Sequence, residues 1–221
     1  MNTVIIVAGG LGQRMGNTVP KQFLLLNGKP IVFYSIQPFM DFDPGIQLVI
    51  VLPKEHITTW QSLCKKYCFH VEHTVVEGGE TRYHSVKNGL VFVRDSEWIA
   101  VHDSVRPFTD KKFIEHCFTE AKKIGSAVPA VEVNETVREI LGMGSHPLRR
   151  SRIRLIQTPQ VFSCKMLKEA YQVPYDESFT DDSSVVEAAG NKIYLTEGLK
   201  DNIKITTLED LKWAEWKMNY K

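Results

Sequence analysis

Short apolar runs alternate with amphipathic stretches along most of the chain. Val4-Ile5-Ile6-Val7 opens it as a buried strand, all four of its residues β-branched. A glycine-rich stretch follows from Gly9 to Gly16, and residues 30–36 predict a helix with Pro30 suited to its first turn. Gln47–Leu52 predicts a second buried strand, ended by Pro53. A helix through 60–67 and a third strand over 71–76 come next. Gly78-Gly79 then turns the chain into a helix over 81–93. Residues 98–101 predict a fourth strand with His102-Asp103 at its carboxyl end, Lys111–Ile124 an amphipathic helix, and 126–131 a fifth strand. The rhythm breaks over about 132–157, which is polar and reads as an excursion, an extended hairpin arm. It resumes with helices over 163–171 and 182–189, strands over 192–195 and 202–205, and a terminal helix from Leu208.

Strands alternating with helices predict an α/β domain: a mostly parallel twisted sheet with helices on both faces. Its crossovers are right-handed, and ligands sit beyond the carboxyl ends of the strands. That rule puts the glycine-rich loop, Gly78-Gly79 and Asp103 on one rim. The 221 residues are read as a single domain, 1–221, carrying the arm.

Composition narrows the chemistry. A net charge of +1 gives no global attraction to nucleic acid or to an anionic membrane, so anion binding must come from local clusters. The longest apolar runs are far short of a membrane span, and the start lacks a signal-peptide pattern. Cys64, Cys68, Cys117 and Cys164 are scattered, with neither zinc nor disulfide spacing. A cytoplasmic protein with reduced thiols is expected.

The first acidic residue is Asp41, so the opening glycines, Arg14 and Lys21 form a carboxylate-free cradle for a polyanion. The spacing is wrong for a dinucleotide fingerprint, and no Gly-Lys-Ser/Thr follows for a nucleoside-triphosphate P-loop. Asp103 is suited to accept hydrogen bonds from sugar hydroxyls or to help hold Mg²⁺, and Arg106 to clamp a phosphate. The readings left open are a local Asp–Arg pair at 103 and 106 and, for His102, structural packing or a catalytic or metal role. Ser85, at a helix start, suits a phosphate or only a cap. Arg149, Arg150, Arg152 and Arg154 fall within six positions; if extended, the last three share a face, as a phosphate clamp or a solvated edge. Thr180-Asp181-Asp182 reads as a helix start, and Lys204 lies on a short late strand.

Together these segments resemble a known family. Ala-Gly-Gly-x-Gly-x-Arg-Met-Gly with Pro-Lys-Gln is similar to the sugar nucleotidyltransferase signature. Gly-Gly-Glu-x-Arg-x-x-Ser-Val, Val-His-Asp-Ser-Val-Arg-Pro, Gln-Thr-Pro-Gln, Thr-Asp-Asp-Ser-Ser and Asp-Asn-Ile-Lys-Ile-Thr narrow the resemblance. It becomes one to the 2-C-methyl-D-erythritol 4-phosphate cytidylyltransferases of non-mevalonate isoprenoid synthesis. The resemblance implies a Rossmann-like fold with a protruding β-arm that makes a homodimer. It implies CTP and a sugar-alcohol phosphate as substrates, with Mg²⁺ as cofactor.

By position, it implies that Arg14 and Lys21 stabilise charge on the CTP phosphates. Ala8, Gly9, Gly10, Gly12, Gly79, Glu80, Ser85 and Ser104 would line the nucleotide pocket. Glu80 stands where the family often has Asp, and Ser104 where Ala is common. Asp103, Arg106, Thr158, Thr180 and Lys204 would meet the acceptor, with Thr136 and Arg150 reaching in from the partner subunit. A phosphate monoester is already anionic at neutral pH, so no general base is required, and the sequence offers no convincing one. The rivals are a ribitol-5-phosphate cytidylyltransferase, a non-catalytic nucleotide-binding regulator and, from the arginine run, a nucleic-acid binder.

Overall fold

The computed structural model describes residues 1–9 and 19–220. The strands are β1 (Asn2–Val7), β2 (Leu25–Leu26), β3 (Lys29–Pro30), β4 (Gln47–Leu52), β5 (Thr74–Glu77), β6 (Trp98–Asp103), β7 (Ser126–Glu132), β8 (Arg138–Leu141), β9 (Gly144–Pro147), β10 (Arg154–Ile156), β11 (Gln160–Ser163) and β12 (Leu195–Glu197). The helices are α1 (Ile31–Phe42), α2 (Ile57–Lys66), α3 (Arg82–Leu90), α4 (Lys111–Ile124), α5 (Cys164–Ala170), α6 (Asp182–Ala188) and α7 (Leu208–Asn219).

The main sheet runs β10-β7-β11-β6-β1-β4-β5, with β12 also on β7. β6, β1, β4 and β5 are mutually parallel, so their carboxyl ends share one rim, as the sequence predicts. Alternate residues of the central strands feed two cores. Val4, Ile6, Leu48 and Ile50 pack with α1, α2 and α4. Ile5, Val49 and Val51 pack with α3, α5 and α6. The doubly covered sheet explains why its strands read as continuous apolar runs. A third cluster joins Leu26, Ile31, Val105 and Ile205 to Ala214 of α7.

Several expectations are corrected. β11 was not expected; it lies antiparallel between β6 and β7. Only Val161 and Phe162 are apolar there, between Gln160 and Ser163, too short a run to signal a strand. Pro30 stands before the first turn of α1 rather than in it, extended and paired with Leu25. The third strand starts at Thr74, where its ladder with Val49 begins, rather than at 71. The late strand is Leu195–Glu197, parallel to β7, rather than 192–195. Residues 202–205 form no strand: Asn202 N–H bonds back to Leu199 and Ile203 N–H to Asp201, as turns do.

The excursion is a real hairpin. β8 and β9 pair antiparallel with all eight residues exposed, and β10 returns the chain to β7. Residues 150–152 make a short 3₁₀ turn, so Arg150, Arg152 and Arg154 do not line one face of an extended strand.

Candidate functional site

β6 is buried along nearly its whole length, yet it ends on His102 and Asp103. Buried polar groups must find partners, and here the partners build the site. The Asp103 carboxylate lies 3.1 Å from Arg106 Nε, 3.1 Å from Lys204 Nζ and 3.8 Å from Arg82 Nε. Burial alone would raise its pKa; Lys204, Arg82 and Arg106 outweigh that and hold the carboxyl well below the usual carboxylate range. The Asp103 N–H donates to Thr158 Oγ1 (3.1 Å), which lies 2.9 Å from His102 Nδ1. The imidazole is fully buried. Burial, aided by the charge of Arg106 and opposed by Asp103, lowers its pKa to about 3, so His102 is neutral at ordinary pH. That favours the packing reading of His102. Arg106 Nη1 donates to Asn202 O at 2.8 Å, tying the end of β6 to the segment that carries Lys204.

These groups surround a cavity of about 220 Å³, lined by Arg82, Asp103, Arg106, Ile156, Gln157, Thr158, Gln160, Thr180, Asp181 and Lys204. The structure therefore brings together Asp103, Arg106, Thr158, Thr180 and Lys204, five residues the sequence singled out. It also places Arg82, Gln157, Gln160 and Asp181 there, which had no role assigned. Arg82 opens α3, right after the Gly78-Gly79 turn. Its guanidinium grips Asp182 in two places, at 2.9 and 2.6 Å, and Tyr171 Oη donates to the same carboxylate at 2.7 Å. The signal was present: Arg82 lies inside the Gly-Gly-Glu-x-Arg motif.

The segment 157–160 is the hub. Gln157 holds the segment near Leu199, Thr158 holds β6, and Gln160 holds the start of α6, through Asp181 Oδ2 (2.7 Å) and Ser183 N–H (2.9 Å). The Thr158–Pro159 peptide is cis.

The rim beside this cavity is made of close backbone approaches. Ala8 N–H donates to Val51 O, Ser104 N–H to Val7 O and Gly78 N–H to Leu52 O. The Ala8 carbonyl accepts from Gln22 Nε2 at 2.9 Å, so the 3₁₀ turn Lys21–Phe23 is docked on the end of β1. Ser85 Oγ accepts from Gly79 N–H at 3.1 Å. A Cβ at Gly79 would lie 2.3 Å from His84 Cβ, which only a glycine avoids. Gly9 also faces Ser85, and a Cβ on it would approach Ser85 Oγ to 3.1 Å. Glu80 is exposed on this turn and Ser104 is buried. Gly10, Gly12 and Arg14 lie outside the described residues.

Thr136 and Arg150 are exposed on the arm and do not line the cavity. Asp103 does not fit a magnesium ligand: three cations already face its carboxylate and would repel a fourth. Among the described residues no group of three or more His, Cys, Asp or Glu is placed to hold a metal. No described helix is long and apolar enough to cross a membrane.

Comparison with known proteins covers nearly the whole chain. The profile of the family described as 2-C-methyl-D-erythritol 4-phosphate cytidylyltransferase matches residues 2–220. Proteins of that name from Phocaeicola vulgatus and Bacteroides fragilis are each 47% identical over 212 residues, covering 96% of this chain and 97% of theirs. The crystal structure of the Francisella tularensis protein of that name is 31% identical, with a TM-score of 0.81 over 98% of this chain and 99% of that one. The 4-diphosphocytidyl-2C-methyl-D-erythritol synthase of Anaerococcus prevotii is 26% identical, with a TM-score of 0.84 over 99% and 96%.

Proposed function

The chain belongs to the 2-C-methyl-D-erythritol 4-phosphate cytidylyltransferase family, and on that premise we propose how its residues carry out the chemistry. The enzyme transfers a cytidylyl group from CTP to 2-C-methyl-D-erythritol 4-phosphate, a step of isoprenoid precursor synthesis. A phosphate oxygen of the acceptor attacks the α-phosphorus of CTP. The bond to the β-phosphate oxygen breaks, and pyrophosphate leaves with the bonding pair. The attacking oxygen is already anionic, so no proton need be removed. A fully buried His102, its basicity lowered by burial, agrees with a reaction that asks for no base.

The observation that carries the reading is the cavity at the end of β6, where Arg106 and Lys204 stand 3.1 Å from one carboxylate. An acceptor with hydroxyls and a phosphate matches that set: the Asp103 carboxylate accepts hydrogen bonds from the hydroxyls, and the cations orient the phosphate. The nucleotide lies across the adjoining rim, with Ala8, Gly9, Gly79, Glu80, Ser85 and Ser104 along it. Arg14 and Lys21 neutralise charge that builds on the transferred phosphoryl group. Gly10 and Gly12 admit the triphosphate to the backbone. When bound, Mg²⁺ would supply charge neutralisation on the nucleotide phosphates, which offer oxygen ligands that Asp103 does not. The arm pairs two subunits, so that Thr136 and Arg150 complete the neighbour's site. The protein works as a single domain in the cytoplasm.

The test is pyrophosphate release from CTP with 2-C-methyl-D-erythritol 4-phosphate or ribitol 5-phosphate as acceptor. Turnover is expected with the first. Turnover with ribitol 5-phosphate alone would overturn the acceptor assignment, and CTP binding without release would make the protein a regulator.

A further inference from the structure

We propose that Gln157 is a positioning residue for Lys204: its buried amide holds the irregular segment 198–204 at the cavity and so sets where the Lys204 ammonium stands. The inference rests on the reading of that cavity as the acceptor site.

Residues 198–207 contain no helix or strand, so no ladder fixes their path. The Gln157 side chain does much of that work instead, at Leu199 and Asn202. Nε2 donates to Leu199 O at 2.7 Å and Oε1 accepts from Leu199 N–H at 3.1 Å. A residue held at both its N–H and its C=O is fixed in orientation as well as in place, much as in a sheet. Nε2 also approaches Asn202 O at 3.3 Å, and Asn202 Nδ2 donates to Thr158 O at 2.8 Å. Two residues later Lys204 Nζ reaches Asp103 at 3.1 Å. Gly198 leaves the amide room. A Cβ there would lie 2.6 Å from Gln157 Oε1 and 3.0 Å from the Ala130 carbonyl. The Gln157 backbone is itself anchored, its N–H donating to Pro129 O of β7 at 2.8 Å. Arg106 on the Asn202 carbonyl and the Ile205 N–H on the Val105 carbonyl hold the later part of the segment, and Gln157 carries position from the sheet into its earlier part, Leu199 to Asn202, ahead of the Lys204 ammonium.

The experiment is a double-mutant cycle on the full-length enzyme, with kcat and KM measured for each substrate. Gln157→Met keeps the volume and removes the paired hydrogen bonds. It should lower kcat/KM for the acceptor by about tenfold while the KM for CTP moves by less than about twofold. In a Lys204→Ala background the same change should cost nothing further, because its route of action is gone. Gly198→Ala, which displaces the same amide from the other side, should behave alike and carries the cycle if Gln157→Met fails to fold. A Gln157→Met enzyme with normal acceptor kinetics, beside an impaired Lys204→Ala, would overturn the proposal. So would effects that multiply in the double variant, the mark of a merely structural role. If Lys204→Ala itself were unimpaired, the assignment of the cavity would fail first, and this inference with it.

Discussion

The arginines of the cavity and those of the arm make different use of the same side chain. Arg82 and Arg106 face buried carboxylates: Asp182, brought from a hundred residues away at the start of α6, and Asp103, three residues earlier at the end of β6. On the arm, Arg138 binds Ser145 across its own hairpin, Arg150 binds the Asn134 carbonyl, and Arg154 binds the carbonyls of Ser151 and Ile153. Only Arg154 there also meets a carboxylate, Glu132, at 3.4 Å and largely exposed. The cavity is thus pre-organised within one chain, because its charges were paired as the sheet and helices docked. The arm's charges are kept in water, where their pairing is worth little. This contrast predicts a graded series of effects on stability, each of which can break it.

The largest effect belongs to Arg82. Asp182 is fully buried, and replacing its partner by an apolar side chain leaves an uncompensated charge. Arg82→Met should cost about 3–5 kcal/mol in urea unfolding. The double variant with Asp182→Asn should recover part of it. A single-variant cost near zero would mean that the network adds nothing to the fold. Next comes Asp103→Asn, which takes the counter-charge from Arg106 and Lys204. It should cost about 2–3 kcal/mol and lower kcat/KM for the acceptor by roughly a hundredfold. The sign with pH follows from its depressed pKa. Asp103 contributes stability above the ordinary carboxylate pKa, and that contribution drains away as acid approaches the lower folded value. Acid titration should therefore destabilise the wild type from about pH 4 downward, and less so the Asn variant.

The same contrast marks what the sequence could disclose. The β6 run 98–101 and the following His102-Asp103 announced a strand end and an acid on the functional rim, because strand periodicity and the rim rule are both local. Asp103 with Arg106 was visible as a pair at i, i+3. Arg82 with Asp182 was not, since a hundred residues separate them and only the fold brings the starts of α3 and α6 together. Gln157 and Gln160 stood in a visible motif, but an uncharged amide signals no chemistry until its partners are seen. β11 escaped notice because two apolar residues do not make a pattern. The arm's arginines were the most conspicuous feature of the late sequence, and the cavity they were offered to is built without them in this chain.

A more gradual effect, spread over several pH units, belongs to His102. Its folded pKa of about 3 lies below the ordinary value of 6.5, so between these the unfolded chain binds the extra proton. Stability should fall as pH drops through that window, by roughly 1 kcal/mol per unit, and level off below it. Urea titrations between pH 7 and 4.5 measure the slope. A His102→Gln enzyme, which cannot titrate there, should give a flatter line; an unchanged slope would assign it to other groups.

The smallest effect is expected on the arm, and it separates the two regions most sharply. Arg150 is exposed and holds only a carbonyl of its own arm, so Arg150→Ala should shift stability by less than about 0.5 kcal/mol. If the arm completes a partner's site, that nearly silent change should still lower turnover. Mixing decides whether it acts across subunits. Lys204→Ala and Arg150→Ala chains are each impaired alone. In a mixed dimer one site carries both defects and the other carries neither. Equal co-expression should then restore activity to about a quarter of the wild-type level, the share of intact sites under random pairing. If Arg150 instead served its own subunit, every site would keep one defect and mixing would restore nothing. The arm would then need to bend back to a cavity that this structure closes without it.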